Sequence, residues 1–327
     1  MTEHMVDVAV VGAGPAGLSC AIEAQKAGLS AAVFEQGSLL DAMRRFPTSL
    51  VWFSTPELLE IGGVPFVTAT VRPTRVDVLN YYQKVTRLHN LDVRAHDAVQ
   101  TITPSGGAFS LRMASGAACR AANVVVATGY FDTPNRLDVP GEDLPHVSHY
   151  YDEPYRYFGD EVAVVGGRNS AVEAALDLYR HGVRVTLIHR GARLSDGVKY
   201  WILPDIENRI KAGEITAAFG ATVRRIEPDV VTVTDAAGER RIRARFVFVL
   251  VGFRPDVDRM RAFGIDVDPD TLAPRHDPAT FETGVPGLYV AGSVVAGRFN
   301  NRIFVENGRL HGGAIVRAIM ARSGKTP

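Results

Sequence analysis

Cysteine is scarce: the 327 residues hold two, Cys20 and Cys119, and no Cys-x-x-Cys. That excludes a disulfide-stapled scaffold and a vicinal dithiol redox pair, and it fits a reducing compartment, so a cytoplasmic location is expected. Charge of one sign is missing too, since 36 basic residues meet 36 acidic ones. No broad field is left to attract nucleic acid or an anionic membrane, and any anion recognition must be local. Long apolar runs are absent, each being broken by Gly or Pro within about ten residues, too short for a bilayer. The opening MTEHMVDVAV has neither the basic region nor the cleavage site of a signal peptide. No metal site is expected.

Glycine, at 31 residues, is plentiful and well placed. The length suits two domains, and 46% apolar with 22% charged residues is ordinary globular composition. Asp7–Val11 reads as a buried strand, followed by Gly12-Ala-Gly14-Pro15-Ala16-Gly17 and a helix that Gly28 closes. The next apolar run, Ser30–Phe34, ends at Glu35-Gln36, with Glu35 lying 23 residues after Gly12. Gly12 supplies a tight turn, Gly14 lets a pyrophosphate approach the backbone, and Gly17 brings helix against strand. Glu35 is expected to accept hydrogen bonds from ribose hydroxyls. Strand, turn, helix and acid in this order predict a dinucleotide site.

The pattern recurs 154 residues later as Glu161–Val165, then Gly166-Gly167-Arg168-Asn169-Ser170-Ala171, then a helix. Its following strand, Arg184–Ile188, ends in His189-Arg190 where the first ended in an acid. Cations there suit a 2′-phosphate, so NADPH is expected over NADH, with Arg190 as the main contact and Arg193 and His189 beside it. Arg168 replaces the second glycine, and its guanidinium is itself a candidate phosphate contact.

Between the two turns, the Leu50–Thr55 stretch reads as a strand with Ser54 and Thr55 just after it, and a helix is expected over about Arg75–His89. Strands follow near 92–113, and Asn123–Thr128 leads into Ala127-Thr128-Gly129-Tyr130. That Ala-Thr-Gly turn resembles the one closing the first pass through an FAD domain in flavoprotein disulfide reductases. Residues 131–160, rich in Pro, Gly and Asp, read as a connection. Residues 213–249 alternate as strands, and Gly287–Gly292 resembles the segment that returns to FAD, with Ser293 where an Asp is usual. Ile303–Met320, beginning at Ile303 and Phe304, reads as one helix whose N-terminus would favour negative charge on a reduced flavin. The expected architecture is α/β: two Rossmann-like dinucleotide-binding domains, the FAD domain from residues 1–150 and 256–327 and the inserted NADPH domain from 151–255.

On these residues the chain resembles the low-molecular-weight thioredoxin reductase fold, and more closely the YpdA-type bacillithiol disulfide reductases. The stretches that carry the likeness are FSTPELLEIGGVPF (53–66), ATGYFDTPNRLDVPGED (127–143), VVGGRNSAVEAALDLYRHG (164–182) and IFVENGRLHGG (303–313). The resemblance implies an NADPH-dependent flavoprotein reducing a small thiol disulfide in the cytoplasm, as a homodimer or larger homo-oligomer. Ser54, Thr55 and Tyr130 would border the flavin by the same analogy. The family's cysteine inside the first turn falls at Ala16, so the electron acceptor stays open. Transfer to ferredoxin, flavodoxin or a quinone needs no thiol. A monooxygenase is a weaker alternative, cued only by Gly141 and the His146–His149 stretch, and a non-enzymatic nucleotide sensor is a fourth. Cys20 and His311 are weak candidates for catalysis, with Cys119, His146 and His149 behind them.

Overall fold

The computed structural model describes residues 5–324. The first four residues, on which part of the N-terminal reading rests, lie outside it. Within the described residues the chain divides into two compact units. One takes in the described residues up to Arg45, Leu50–Thr133 and the described residues from Phe253 on; the other takes in Phe46–Ser49 and Pro134–Gly252.

The first unit starts with β1 (Met5–Val11), whose Val8, Ala9 and Val10 are almost wholly buried. A run buried on both faces is what a central parallel strand between two layers requires. Then come β2 (Ala31–Phe34), β3 (Asp92–Arg94), β4 (Val99–Ser105), β5 (Ala108–Met113) and β6 (Ala118–Val126). They order as β3-β2-β1-β6-β5-β4, parallel from β3 to β6 and antiparallel through β4 and β5. In the second unit β7 (Val147–Ser148), β8 (Glu161–Val165), β9 (Arg184–His189) and β10 (Thr216–Phe219) precede β11 (Thr222–Glu227), β12 (Val230–Asp235), β13 (Gly238–Arg243) and β14 (Phe246–Val249). A parallel sheet runs β10-β9-β8-β14-β7, and β11 to β13 form a separate antiparallel sheet. Finally β15 (Leu288–Val290) returns to the first unit and pairs with β6.

The helix Arg75–Leu88 begins as its sequence demands: Asp77 accepts the Thr74 N–H at 2.9 Å while the Thr74 hydroxyl accepts the Asp77 N–H at 3.2 Å. Its Tyr81 and Tyr82 hydroxyls donate to the carbonyls of Val64 and Leu59 at 2.8 and 2.7 Å. They pin the loop that follows Ser54 and Thr55.

Three expectations change. Leu50–Thr55 is no strand: Val51 makes only an isolated bridge to Thr74, and Val51 and Phe53 are more than half exposed. A strand there would have no sheet in which to bury its apolar face. The tail helix is two pieces, Val305–Gly308 and His311–Arg322. The break falls where the Arg309 carbonyl accepts the Ser19 hydroxyl at 2.6 Å and Gly308 lies against Gly292. Within the supposed connection 131–160, β7 joins a sheet edge beside β14.

The helices Pro15–Lys26 and His311–Arg322 approach through Gly312, where a Cβ would stand 2.9 Å from the Cys20 Cα. Its neighbour Gly313 would meet only the flexible end of Arg317, at 3.4 Å. Gly312→Ala should therefore cost about 1–3 kcal/mol through overpacking. Gly313→Ala should leave stability unchanged or raise it by up to about 1 kcal/mol through helix propensity. Denaturant midpoints of the two variants check the contrast, and equal shifts would refute it.

Candidate functional site

At the first glycine turn, open and closed space alternate. A Cβ at Gly12, whose φ is +112°, would stand 2.5 Å from the Ala127 carbonyl oxygen, and one at Gly17 would stand 2.0 Å from that of Gly12. A Cβ at Gly14 would meet nothing within 4 Å. The turn is thus closed where backbone must pack and open where a phosphate would approach. Pro15 occupies the first helical position, and no side chain caps the helix start, so its N–H groups are left for an anion. Glu35 accepts the Ala13 N–H on one oxygen at 2.8 Å and the Gly37 N–H on the other at 2.9 Å. Burial pushes its carboxyl up, against the pull of those two donors. Each oxygen keeps a lone pair for a ribose hydroxyl, which fits the adenosine half of FAD.

Other expected residues converge on this turn. A Cβ on Gly292, at φ +74°, would touch the Ala16 methyl at 2.7 Å. One on Gly129, at φ +70°, would lie 3.5 Å from the Ser293 hydroxyl. Thr128, Gly129, Gly292 and Ser293 therefore sit at the same strand ends as Ala16. Ser54 is buried and donates to the Glu306 carboxylate, while Thr55 precedes the short helix Pro56–Leu59. Phe304 is 55% exposed, its N–H bonded to the Asn307 side chain at 2.8 Å, and Ile303 packs beside Gly308. Burial raises the Tyr130 phenol. Gln36 points elsewhere, its amide bonding Asp132 at 2.8 Å and Arg259 at 2.7 Å.

The second turn is built differently. A Cβ at Gly166 would stand 2.5 Å from the Leu250 carbonyl oxygen and 2.7 Å from the Ala171 methyl. The His189 ring lies against Gly167 and Gly191, so close that a Cβ on either would stand within 2.4 or 2.7 Å of it. Burial, then Arg190, holds this imidazole below its ordinary range, and the ring face supports the two glycines. Arg168 caps the helix Asn169–Arg180 without a side-chain bond, and both Arg168 and Ser170 are exposed. Arg193 pairs with Asp196 at 2.8 Å, whereas the exposed Arg190 makes no ion pair among the described residues. Two unneutralised guanidinium groups thus flank a glycine turn, an arrangement that fits the pyrophosphate and 2′-phosphate of NADPH. Among the described residues no group of three His, Cys, Asp or Glu side chains could hold a metal.

Neither cysteine is accessible to a substrate. Cys20 is 1% exposed beneath the tail helix, and burial, with Glu23 adding to it, pushes its thiol up to about 12. Cys119 is also 1% exposed, packed in a different apolar cluster. His311 is the acceptor for the Gly292 N–H, through Nδ1 at 3.1 Å, and stacks on Phe281 with ring centroids 4.1 Å apart. It therefore supports the Gly292–Ser293 turn. That support went unread in the sequence, although His311 lies in the IFVENGRLHGG stretch. Arg309 in the same stretch was also unread; its guanidinium donates to the carbonyls of Glu57, at 3.0 Å, and Glu60.

Burial, with His276 adding to it, pushes His311 down to about 4. The folded state then binds its proton less readily than the unfolded chain, so the stability it secures is complete above about pH 6.5 and falls away toward pH 4. His311→Asn keeps an acceptor in place without titrating. Between pH 7 and 4.5 the wild type should lose about 2 kcal/mol more than this variant, measured by denaturant unfolding. Parallel losses would show that His311 does not titrate there.

Known proteins share this geometry. Residues 9–292 match the family model of the pyridine nucleotide-disulphide oxidoreductases. Bacilliredoxin reductase Bdr of Bacillus subtilis is 39% identical over 316 residues, 96% of this chain and 97% of its own. The solved bacillithiol disulfide reductase Bdr (YpdA) of Bacillus cereus superimposes with a TM-score of 0.95 at 39% identity, covering 98% of this chain and all of its own. The Staphylococcus aureus enzyme of the same description gives 0.94 at 34%, with 98% and 99% coverage. No helix among the described residues is long and apolar enough to cross a membrane. The chain belongs to the pyridine nucleotide-disulphide oxidoreductases, within the Bdr (YpdA) group, and is a flavoenzyme that uses FAD and NADPH.

Proposed function

We propose that the first unit holds FAD, the second holds NADPH, and the electron pair passes to a low-molecular-weight thiol disulfide of the bacillithiol type. The overall reaction takes NADPH, a proton and a disulfide to NADP⁺ and two thiols. The observation that carries this reading is the whole-length likeness to the bacillithiol disulfide reductases, spanning both glycine turns and the tail. Bound flavin supplies the two-electron chemistry. The protein's part is to hold each nucleotide: Glu35 and the Gly14 opening for the first, Arg168 and Arg190 for the second. A cytoplasmic homo-oligomer is the setting we propose.

Because both thiols are buried, the disulfide is reduced without a mixed disulfide to the enzyme. That step needs an accessible thiolate, and Cys20 near 12 is almost wholly protonated at neutral pH. The same observation favours a second reading, in which ferredoxin, flavodoxin or a quinone accepts the electrons.

Stopped-flow reoxidation of the NADPH-reduced protein against bacillithiol disulfide, other small disulfides, ferredoxin, quinone and oxygen decides between them. The expected result is fast turnover with bacillithiol disulfide, and with a Cys20→Ser/Cys119→Ser variant to within about twofold. Turnover only with the protein or quinone acceptors would replace the first reading by the second. Flavin reduction should be much faster with NADPH than with NADH. Arg190→Ala should raise the NADPH KM by about 10- to 100-fold, the worth of a charge-assisted phosphate contact, and leave NADH nearly unchanged.

A further inference from the structure

One side chain at the second glycine turn is used in an unexpected way. Asn169 opens the helix Asn169–Arg180, yet its amide caps nothing. Its Nδ2 donates to the Gly197 carbonyl at 3.1 Å, and its Oδ1 accepts the Lys199 N–H at 2.9 Å. Both hydrogen-bonding ends of one amide are therefore spent on a loop about thirty residues away in sequence. The same loop touches the turn again where the Ser195 N–H donates to the Gly167 carbonyl at 3.0 Å. Lys199 then reaches Glu173, one helical turn beyond Asn169.

This loop leaves β9 through Arg190 and carries Arg193. It is seated independently of Asn169, because Leu194 and Val198 are buried in the core of the unit. Losing the amide would leave the loop folded and joined to the turn only through the Ser195 N–H and the Lys199–Glu173 pair. The tie holds the far end of the loop, at Gly197 and Lys199, and so limits the freedom of the stretch that carries Arg190 and Arg193. An arginine fork recognises a phosphate only if its position is held, and a loose loop must be ordered at the moment of binding.

We infer that Asn169 sets the preference for a 2′-phosphate by clamping the Arg190–Lys199 loop to the second glycine turn. It is a positioning residue, acting through the arginines and not on the reacting atoms. The inference rests on the reading of the second unit as the NADPH site. NADH shares every other group with NADPH, so a clamp that serves the 2′-phosphate leaves NADH untouched. A direct role of the amide at the pyrophosphate would affect both alike.

Steady-state KM and kcat for NADPH and NADH, measured on holoenzyme, test the idea in Asn169→Ala, in Arg190→Ala/Arg193→Ala and in the triple variant. Asn169→Ala should raise the NADPH KM by about tenfold, the worth of one to two ordinary hydrogen bonds, with kcat and the NADH KM within about twofold. In the double-arginine background the same change should have no further effect on the NADPH KM. An equal rise for both nucleotides, no rise, or an unchanged penalty without the arginines would overturn the inference. A wild type that uses NADPH and NADH equally would instead sink the reading of the site on which it rests. Flavin absorbance equal to wild type, with cooperative unfolding well above the assay temperature, in each variant shows that the comparison is between folded proteins.

Discussion

The first unit depends on how closely one helix is drawn to one strand end. At Gly17 even a methyl group would stand 2.0 Å from the Gly12 carbonyl oxygen, and backbone cannot yield to that degree. The approach fixes where the helix begins, and so where its unpaired N–H groups point. It also places Ala16 against Gly292, which brings the returning strand β15 and the tail to the same edge. The tail can follow because Gly312 lets its helix rest on the backbone around Cys20. Three close approaches, at Gly17, Gly292 and Gly312, make one continuous cradle. The burial of Cys20 is a consequence of this packing.

The second unit reaches a similar turn by other means. Ala171 takes the place of the third glycine, and its methyl fills the space beside Gly166. The residue at the end of the second strand is structural in both units. In the first, Glu35 ties the turn by accepting two backbone N–H groups. In the second, His189 supports it with the face of a ring against two glycines. On the proposed reading ligand selectivity would be added to this support: a carboxylate retains acceptor capacity for hydroxyls, whereas a ring packed on glycine would leave much of the phosphate's recognition to neighbouring cations.

Much of this was legible in the chain. Strand–turn–helix patterns survive translation into structure because their spacing is set by backbone sterics: β8 spans Glu161–Val165 as expected, and the helix starting at Arg75 carries its capping box. The identity of the strand-end residue indicated the kind of ligand but not how it would be used, and His189 shows the difference. Its sequence position suits a cation, while its ring packs on two glycines and burial lowers its proton affinity. Leu50–Thr55 reads as strand by composition, yet strand formation depends on an available sheet edge, which local pattern does not encode. The tail break was hidden for a similar reason. Ser19 diverts the Arg309 carbonyl from the helix ladder, a contact 290 residues apart in the chain. The Asn169 amide likewise shows its partners only in three dimensions.

The fate of the two thiols narrows the chemistry more than the choice of acceptor does. An enzyme thiol assists disulfide reduction by attacking as a thiolate and expelling one substrate thiol, and the mixed disulfide then takes the cofactor's electron pair to release the other. The attack needs exposure and a thiol that ionises near ambient pH. Cys20 meets neither condition: with its thiol near 12, roughly one molecule in 10⁵ is ionised at pH 7, and the sulfur lies under a helix that would have to be lifted. Cys119 is enclosed in a strand of the central sheet. Relaying electrons through either would require breaking the helix–helix or sheet packing on which the nucleotide cradle depends. The cost of exposing the thiol and the loss of the cofactor site would then be the same event. On the proposed reading, a chain built this way would pass its electron pair straight from the cofactor to the acceptor, and specificity for that acceptor would reside in how it is held beside the flavin.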